Sequence, residues 1–297
     1  MAGNLRDARL RIRAIEQTLQ VTKAMKLIST AKLRKGRRLL QDTEPYFDRI
    51  TKSMFDILSG THEIKSAFFR RKDLSKTSRT AIIAVTSDRG LAGGYNTNVA
   101  RHVNELCART QNPVLILIGS IGLRYFSQSP YVILENISFR SQIPTVEHAE
   151  EITDYAISQY LWGMFDEIHI VYTHMFSAVK IKTIERQIMP LVMDKLQEEL
   201  ATLGVVKRIE IKTEYLPSEE AVFDALVPKY INGVIYGALV EAYASEQNAR
   251  MTAMDEASKS AEEMLAELRT HYNRARQAGI TQEMSEIVGG SAALTDR

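Results

Sequence analysis

At 297 residues, with 45% hydrophobic and 25% charged residues, the chain is composed like a soluble folded protein of one large or two modest domains. A formal net charge of +2 marks no global nucleic-acid binder, and a single cysteine, Cys107, excludes an internal disulfide and a cysteine-based metal site. No apolar run approaches the ~18 residues that a bilayer span needs, and the N-terminus carries alternating arginines where a secretory signal would have an apolar core.

Residues 2–44 contain no proline. Leu5, Ala8, Ile12, Ile15, Leu19 and Thr22 recur at steps of three and four, and Val21, Met25, Ile28 and Ala31 extend the stripe. This spacing predicts a long helix with a narrow apolar seam, ending or bending at Pro45. Its polar side is basic: eleven Lys/Arg stand against Asp7 and Glu16 over residues 1–40, a net +9. A charge run can be a plain solvated face. Nine net charges in forty residues point instead to an acidic partner, either phosphate or acidic side chains. The helix resumes around Phe47, Ile50, Met54, Ile57 and Leu58, and residues 61–75 read as a linker.

From Thr80 the period changes. Ala81–Thr86 is a short β-branched run expected of a buried strand. A glycine-rich turn, Ser87–Asn96, leads to a helix from about Asn98 to Arg109. Further strands are predicted at Val114–Ile118, Tyr131–Ile137, Glu167–Thr173, Val179–Met189 and, at a sheet edge, Arg208–Tyr215. Between them come a short helix at Leu123–Phe126 and one capped by Thr145 that runs to Leu161. This alternation predicts an α/β domain over residues 76–216 with a largely parallel sheet.

Residues 217–297 return to helix. After Pro228 there is no further proline. Met254, Ala257, Ala261, Leu265, Leu268, Tyr272 and Ala275 form a second narrow seam, rich in small residues, close to coiled-coil spacing. The fold class is therefore α/β: an antiparallel coiled coil of N-terminal (1–60) and C-terminal (217–297) helices, with a Rossmann-like α/β domain inserted between them. Such a rod cannot be buried along its length by one domain of this size, so a surrounding partner is expected to cover it.

No catalytic constellation emerges. The glycines at 90, 93 and 94 fit neither the dinucleotide fingerprint nor the P-loop. The six histidines, His62, His102, His148, His169, His174 and His271, are scattered and read as structural or surface residues. Neither a cofactor nor a metal is expected.

Three stretches resemble the gamma subunit of the F-type ATP synthase, the central rotor shaft: IEQTLQVTKAMKLISTAKLRK (15–35), TSDRGLAGGYN (86–96) and the run from Ser245 to Leu294. The resemblance spans the whole chain and is most specific in SEQNARMTAMDEASKSA and YNRARQAGITQEMSEIVGGSAAL. It implies a non-catalytic subunit, one copy per complex. Its coiled coil rises through a ring of alpha and beta subunits, and its α/β domain meets the epsilon subunit and the membrane c-ring. It implies a peripheral location at the cytoplasmic face of the cell membrane. By position it places Met25 and Lys26 against a beta-subunit lever. It places Arg276 and Gln277, with Thr281 and Glu283, in the grip of a beta-subunit loop. Ile287, Val288 and Leu294 fall at a tip seated in an apolar sleeve. The basic face of Arg9, Arg13, Lys23, Arg34 and Lys35 turns toward an acidic helix-turn-helix. The chain departs from the family pattern at Lys26, Ala92 and Gly279, the last costing its helix about 1 kcal/mol. The chloroplast-type regulatory cysteines are absent. The coupling ion, proton or sodium, is set by the c-ring.

Two other classes compete. A basic coiled coil that binds nucleic acid would use the +9 helix, but it leaves the C-terminal helix unexplained and has no stacking aromatics in residues 1–45. An α/β enzyme with a helical appendage would need a nucleotide site, which the glycine spacing opposes.

Overall fold

The computed structural model describes residues 2–60, 64–69, 78–134, 143–177, 180–192 and 215–295. Its elements in chain order are α1 (Ala2–Gly60), β1 (Thr80–Val85), α2 (Tyr95–Arg109), β2 (Pro113–Ile118) and α3 (Ser120–Phe126). They continue with β3 (Val132–Ile133), α4 (Val146–Leu161), β4 (Glu167–Met175), β5 (Ile181–Met189) and α5 (Glu219–Thr295). The chain divides into two compact units: Met1–Ser29 with Arg250–Arg297, and Thr30–Ala249.

The second unit is built on a five-stranded sheet in the order β3-β2-β1-β4-β5. β3, β2, β1 and β4 pair in parallel, and β5 folds back antiparallel on β4. The β-branched runs alternate faces as a buried strand must. Ile82, Ala84, Leu115, Leu117 and Val171 meet Val99, Val103, Leu106 and Cys107 of α2 and Phe126 of α3. Ile83, Val85, Ile116, Ile118, Ile168 and Ile170 face the other way, toward Ile152 and Ala156 of α4 and toward the long helices. There Met54 and Ile57 of α1 join Phe223, Val227, Ile231 and Ile235 of α5. The strand expected at Arg208–Tyr215 lies, but for its last residue, outside the described residues, as do the later positions of the one expected at Tyr131–Ile137.

Pro45 neither ends nor bends α1 into two elements; the helix runs through it to Gly60. Pro45 removes one N–H, and the carbonyl four residues back belongs to Gln41. Both residues are exposed, so water can take the freed acceptor while packing on the opposite side holds the turn. Within the 61–75 segment, residues 64–69 pack closely. Ile64 and Phe68 join the core, Phe69 stacks on Phe223 at 5.4 Å, and Ser66 Oγ donates to Asp224 at 2.6 Å.

From Phe223 to Asn248, α5 is buried on nearly every side, a helix enclosed by its own unit. Its Gly233 admits a close neighbour. A Cβ on Gly233 would lie 2.3 Å from Phe47 Cδ1. Gly233→Ala should therefore lower stability by about 1–3 kcal/mol through overpacking, despite a gain of about 1 kcal/mol in helix propensity. A melting temperature equal to or above that of the unsubstituted chain would show that the Phe47 ring gives way freely.

Candidate partner-contact surface

In the first unit α1 and α5 pair antiparallel. Arg9 Nη2 donates to Tyr272 Oη at 2.6 Å, Arg269 bonds Glu16 at 2.6 Å, Lys23 bonds Glu262 at 2.6 Å, and Lys26 bonds Asp255 at 2.5 Å. The numbers rise along α1 as they fall along α5. The seam on α5 is Met254, Ser258, Ala261, Leu265, Leu268 and Tyr272, at alternating steps of four and three, the coiled-coil period. Ala257 stays half-buried beside it and Ala275 is exposed. Ser258 Oγ lies 2.9 Å from Thr22 Oγ1, so part of the seam is polar.

On α1 the half-buried or buried stripe passes through Leu5, Ala8, Ile12, Ile15, Leu19, Thr22 and Ser29. Val21 and Ile28, expected to extend it, are 57% and 56% exposed, and Ala31 is exposed too. The seam keeps the strict heptad of Ala8, Ile15, Thr22 and Ser29, so it runs onto polar residues and leaves Val21 and Ile28, one position earlier, turned outward. With Leu10, at 54% exposure, Val21 and Ile28 share one stripe at steps of eleven and seven. On α5, Ile280, Met284 and Ile287 are exposed at steps of four and three. Exposed apolar stripes of this kind mark interaction surfaces. Apolar spacing alone did not separate these stripes from the seam.

The expected contact residues fall into two belts. Met25 and Lys26 are half-buried, and Lys26 is held by Asp255. Arg276, Gln277, Thr281 and Glu283 are exposed on α5, about 30 Å further along the helix axis at 1.5 Å per residue. Thr281 Oγ1 donates to the Gln277 carbonyl at 3.0 Å, and Ser285 Oγ to that of Thr281 at 2.9 Å, so this hydroxyl row folds onto the helix itself. Ile287 is 71% exposed. The side chains of Val288 and Leu294 lie outside the described residues. Of the basic face, Arg9 and Lys23 are engaged by α5, while Arg13, Arg34 and Lys35 are exposed. Part of the acidic partner of this face is therefore in the chain: Asp255 and Glu262. Their positions one turn from seam residues, on the side α1 lines with lysines, were the available signal.

The glycine-rich turn is tied to its surroundings by side-chain hydrogen bonds. Asp88 Oδ1 accepts from the Ser120 N–H at 2.9 Å and from its hydroxyl at 3.1 Å, at the start of α3. Asn96 bonds Ser87 at 2.7 Å, and Leu91 adopts φ 63° at an exposed tip. Behind it Gly119, at φ 94°, sits where a Cβ would be 2.3 Å from the Thr86 carbonyl oxygen. The Asp88 carboxylate thus caps the start of α3. Three histidines do meet carboxylates: His102 with Glu185, His169 with Glu167 and His174 with Glu241. Among the described residues no group of three or more His, Cys, Asp or Glu is placed to hold a metal. Burial pushes the Cys107 thiol up to about 11, so it stays protonated near neutral pH.

The Lys26 hydrogen bond, followed by that of Lys259, holds the Asp255 carboxyl below the ordinary carboxylate range. A depressed pKa contributes stability that is present above the unfolded value, about 3.9, and is lost as pH falls through the folded value. Asp255→Asn should therefore flatten the acid side of the stability curve below about pH 4. Melting temperatures measured from pH 2 to 5 check this, and parallel curves for the two proteins would remove Asp255 from the acid response.

Comparison with known proteins gives one family. A family model described as ATP synthase matches residues 4–294. The ATP synthase gamma chain of Ruminiclostridium cellulolyticum is 43% identical, covering 99% of this chain and 100% of the relative. The "ATP synthase gamma chain, sodium ion specific" of Acetobacterium woodii is 37% identical over 99% and 100%. Among solved structures, a chain of the Euglena gracilis mitochondrial ATP synthase (OSCP/F1/c-ring) superposes with TM-score 0.68 at 18% identity, covering 99% of this chain and 95% of that one. A chain from the central stalk and c-ring of the Tetrahymena thermophila enzyme gives 0.56 at 21% identity, over 80% and 99%. With its paired long helices around a Rossmann-like sheet, and with relatives matched from end to end, the chain belongs to the ATP synthase gamma-chain family.

Proposed function

We propose that this chain is the rotating central shaft of its ATP synthase and carries no catalytic site of its own. The observation that carries the reading is the bare end of α5. Among the described residues the last side-chain tie to α1 is at Tyr272, yet the helix continues to Thr295 with every described residue from 273 to 287 exposed except Gly279, which is half-buried. That leaves Ile280, Met284 and Ile287 exposed as an apolar stripe toward the end of α5. A helix gains little by holding an apolar stripe in water, because most helical stability comes from packing such a face. A ring of subunits around it would cover the stripe and, if the helix turned, would meet a different side of it at each angle.

The partners that follow are the alpha and beta subunits around the paired helices, and the epsilon subunit and c-ring at the α/β unit, with one shaft per complex. Among the described residues no helix is long and apolar enough to cross a membrane. A peripheral seat on the cytoplasmic face of the membrane, through those partners, completes the reading. Met25, Lys26 and the exposed part of the basic face meet one beta-subunit element; Arg276, Gln277, Thr281 and Glu283 meet another. Nucleic acid is disfavoured as the partner of the +9 helix, because Lys23 and Lys26 are already spent on Glu262 and Asp255.

Two experiments test this. Arg276→Ala with Gln277→Ala should leave helix content and assembly with alpha and beta subunits intact, since exposed substitutions change stability by less than ~0.5 kcal/mol. Steady-state ATP hydrolysis by the assembled complex should fall several-fold, because a charged hydrogen bond of roughly 1.5–3 kcal/mol is lost at some angles of the shaft only. Full activity with normal assembly would free these residues of any grip. The isolated chain should hydrolyse no ATP, and turnover abolished by a change within residues 87–94 would overturn the non-catalytic reading.

A further inference from the structure

Resting on the rotor reading, we infer that the β4–β5 hairpin is the attachment through which turning force passes between the sheet and α5, and that His174 and Glu241 form its pH-dependent tie. Polar contacts fasten this hairpin to one side of α5. Arg186 Nη2 of β5 donates to Tyr230 Oη at 3.3 Å. His174 Nδ1, near the end of β4, meets Glu241 Oε2. Ser245 Oγ donates to the Thr173 carbonyl of β4 at 2.8 Å. Tyr230 and Glu241 are eleven residues apart, three helical turns, and Ser245 follows one turn later, so the ties share a face.

The position of the ties matters because the packing changes along α5. Around Val227, Ile231 and Ile235 the helix is held by apolar core. From Ser245 to Asn248 its buried residues are polar. Apolar burial is non-directional: it opposes separation more than it fixes one angular setting. Hydrogen bonds are directional, and those involving an ionised group are about twice as strong as neutral ones. A helix that must not slip against a sheet under torque needs such bonds where the apolar packing gives out, and Glu241 and Ser245 stand at that place.

The surroundings of His174 are defined on each side. Lys182 of β5 is its cross-strand partner. Arg37 of α1 donates to Met175 Sδ at 3.8 Å. The Phe176 ring lies edge-on at 4.4 Å, with Lys180 5.7 Å from that ring. Glu241, from α5, is the carboxylate among these groups. Histidine changes charge between pH 5 and 8. A charged imidazole beside the carboxylate makes an ion pair reinforced by a hydrogen bond, whereas a neutral one offers at most a single neutral donor. Glu241 and His174 are thus positioning residues: they hold the sheet in register with the shaft and touch no substrate.

The test uses the complete complex reconstituted in vesicles, reading ions transported per ATP hydrolysed at pH 6 and pH 8, each variant as a ratio to the unsubstituted protein. Glu241→Gln should keep ATP hydrolysis within about twofold and lower ions per ATP about twofold or more at pH 6, with a smaller deficit at pH 8. His174→Gln should show the same pattern, and the double substitution should add nothing to either. His174→Lys, which keeps a cation beside Glu241 at both pH values, should restore the ratio. Unchanged ions per ATP in Glu241→Gln at both pH values would overturn the inference, as would a deficit equal at pH 6 and pH 8, the mark of a merely structural role. If Glu241→Gln fails to assemble, His174→Gln carries the same two readouts. Failure of the unsubstituted chain to assemble with alpha and beta subunits would instead overturn the rotor reading beneath it.

Discussion

Everything in the first unit depends on how little the helix seam can bury. Ala261, Leu265 and Met254 are its buried apolar members on α5, and Ser258 against Thr22 makes one layer polar. A methyl-sized group contributes about 0.8 kcal/mol when buried, so small residues in a narrow seam cannot hold two long helices by area alone. The ion pairs flanking the seam are half-exposed, and such pairs contribute at most about 1 kcal/mol each. A seam this lean allows close approach and sets the register of the pair. It leaves the outward apolar stripe of Leu10, Val21 and Ile28 for something else to cover.

The second unit solves the opposite problem. There α5 is surrounded: the sheet, α1 and the 64–69 segment enclose it, and one continuous core runs from Ile50 and Met54 through the strands to α4. The same helix is therefore a core element over part of its length and one half of a lean pair over another. The switch falls where the buried residues turn polar, at Ser245 to Arg250. Glu246, Gln247, Asn248 and Arg250 bury groups that are costly to leave unpaired, so this stretch is specified by partners more than by area.

The parts of the fold that follow from period were legible in the sequence. The strands announce themselves at Ala81, Val114 and Glu167 because β-branched runs between turn residues have few other uses, and Thr145 caps α4 as its side chain predicts, accepting from the His148 N–H. What was not legible depends on tertiary packing. Pro45 reads as a stop, yet an exposed proline on a helix packed from the other side is tolerated. Val21 and Ile28 read as seam because apolar spacing does not say which of two stripes faces the partner helix. Asp255 and Glu262 read as solvent-facing charge because nothing local reports that Lys26 and Lys23 stand opposite. His169 reads as isolated, though Glu167 lies on the same face of β4 two residues earlier.

The two contact belts were carried into the sequence by family resemblance, and their geometry adds a physical distinction between them. Lys26 is already bonded within the pair, so a partner there must compete with Asp255 or share the lysine. Arg276 and Gln277 are exposed on α5, beyond Tyr272, where the last tie to α1 among the described side chains falls. A contact at the first belt couples to the pairing of the helices, because drawing Lys26 outward weakens the bond that fixes register. A contact at the second meets no described ion pair between the helices, so it draws more on the backbone hydrogen bonds of α5, where Gly279 costs about 1 kcal/mol of propensity. Force applied at Met25 and Lys26 would instead pull on the bond that ties the two helices together.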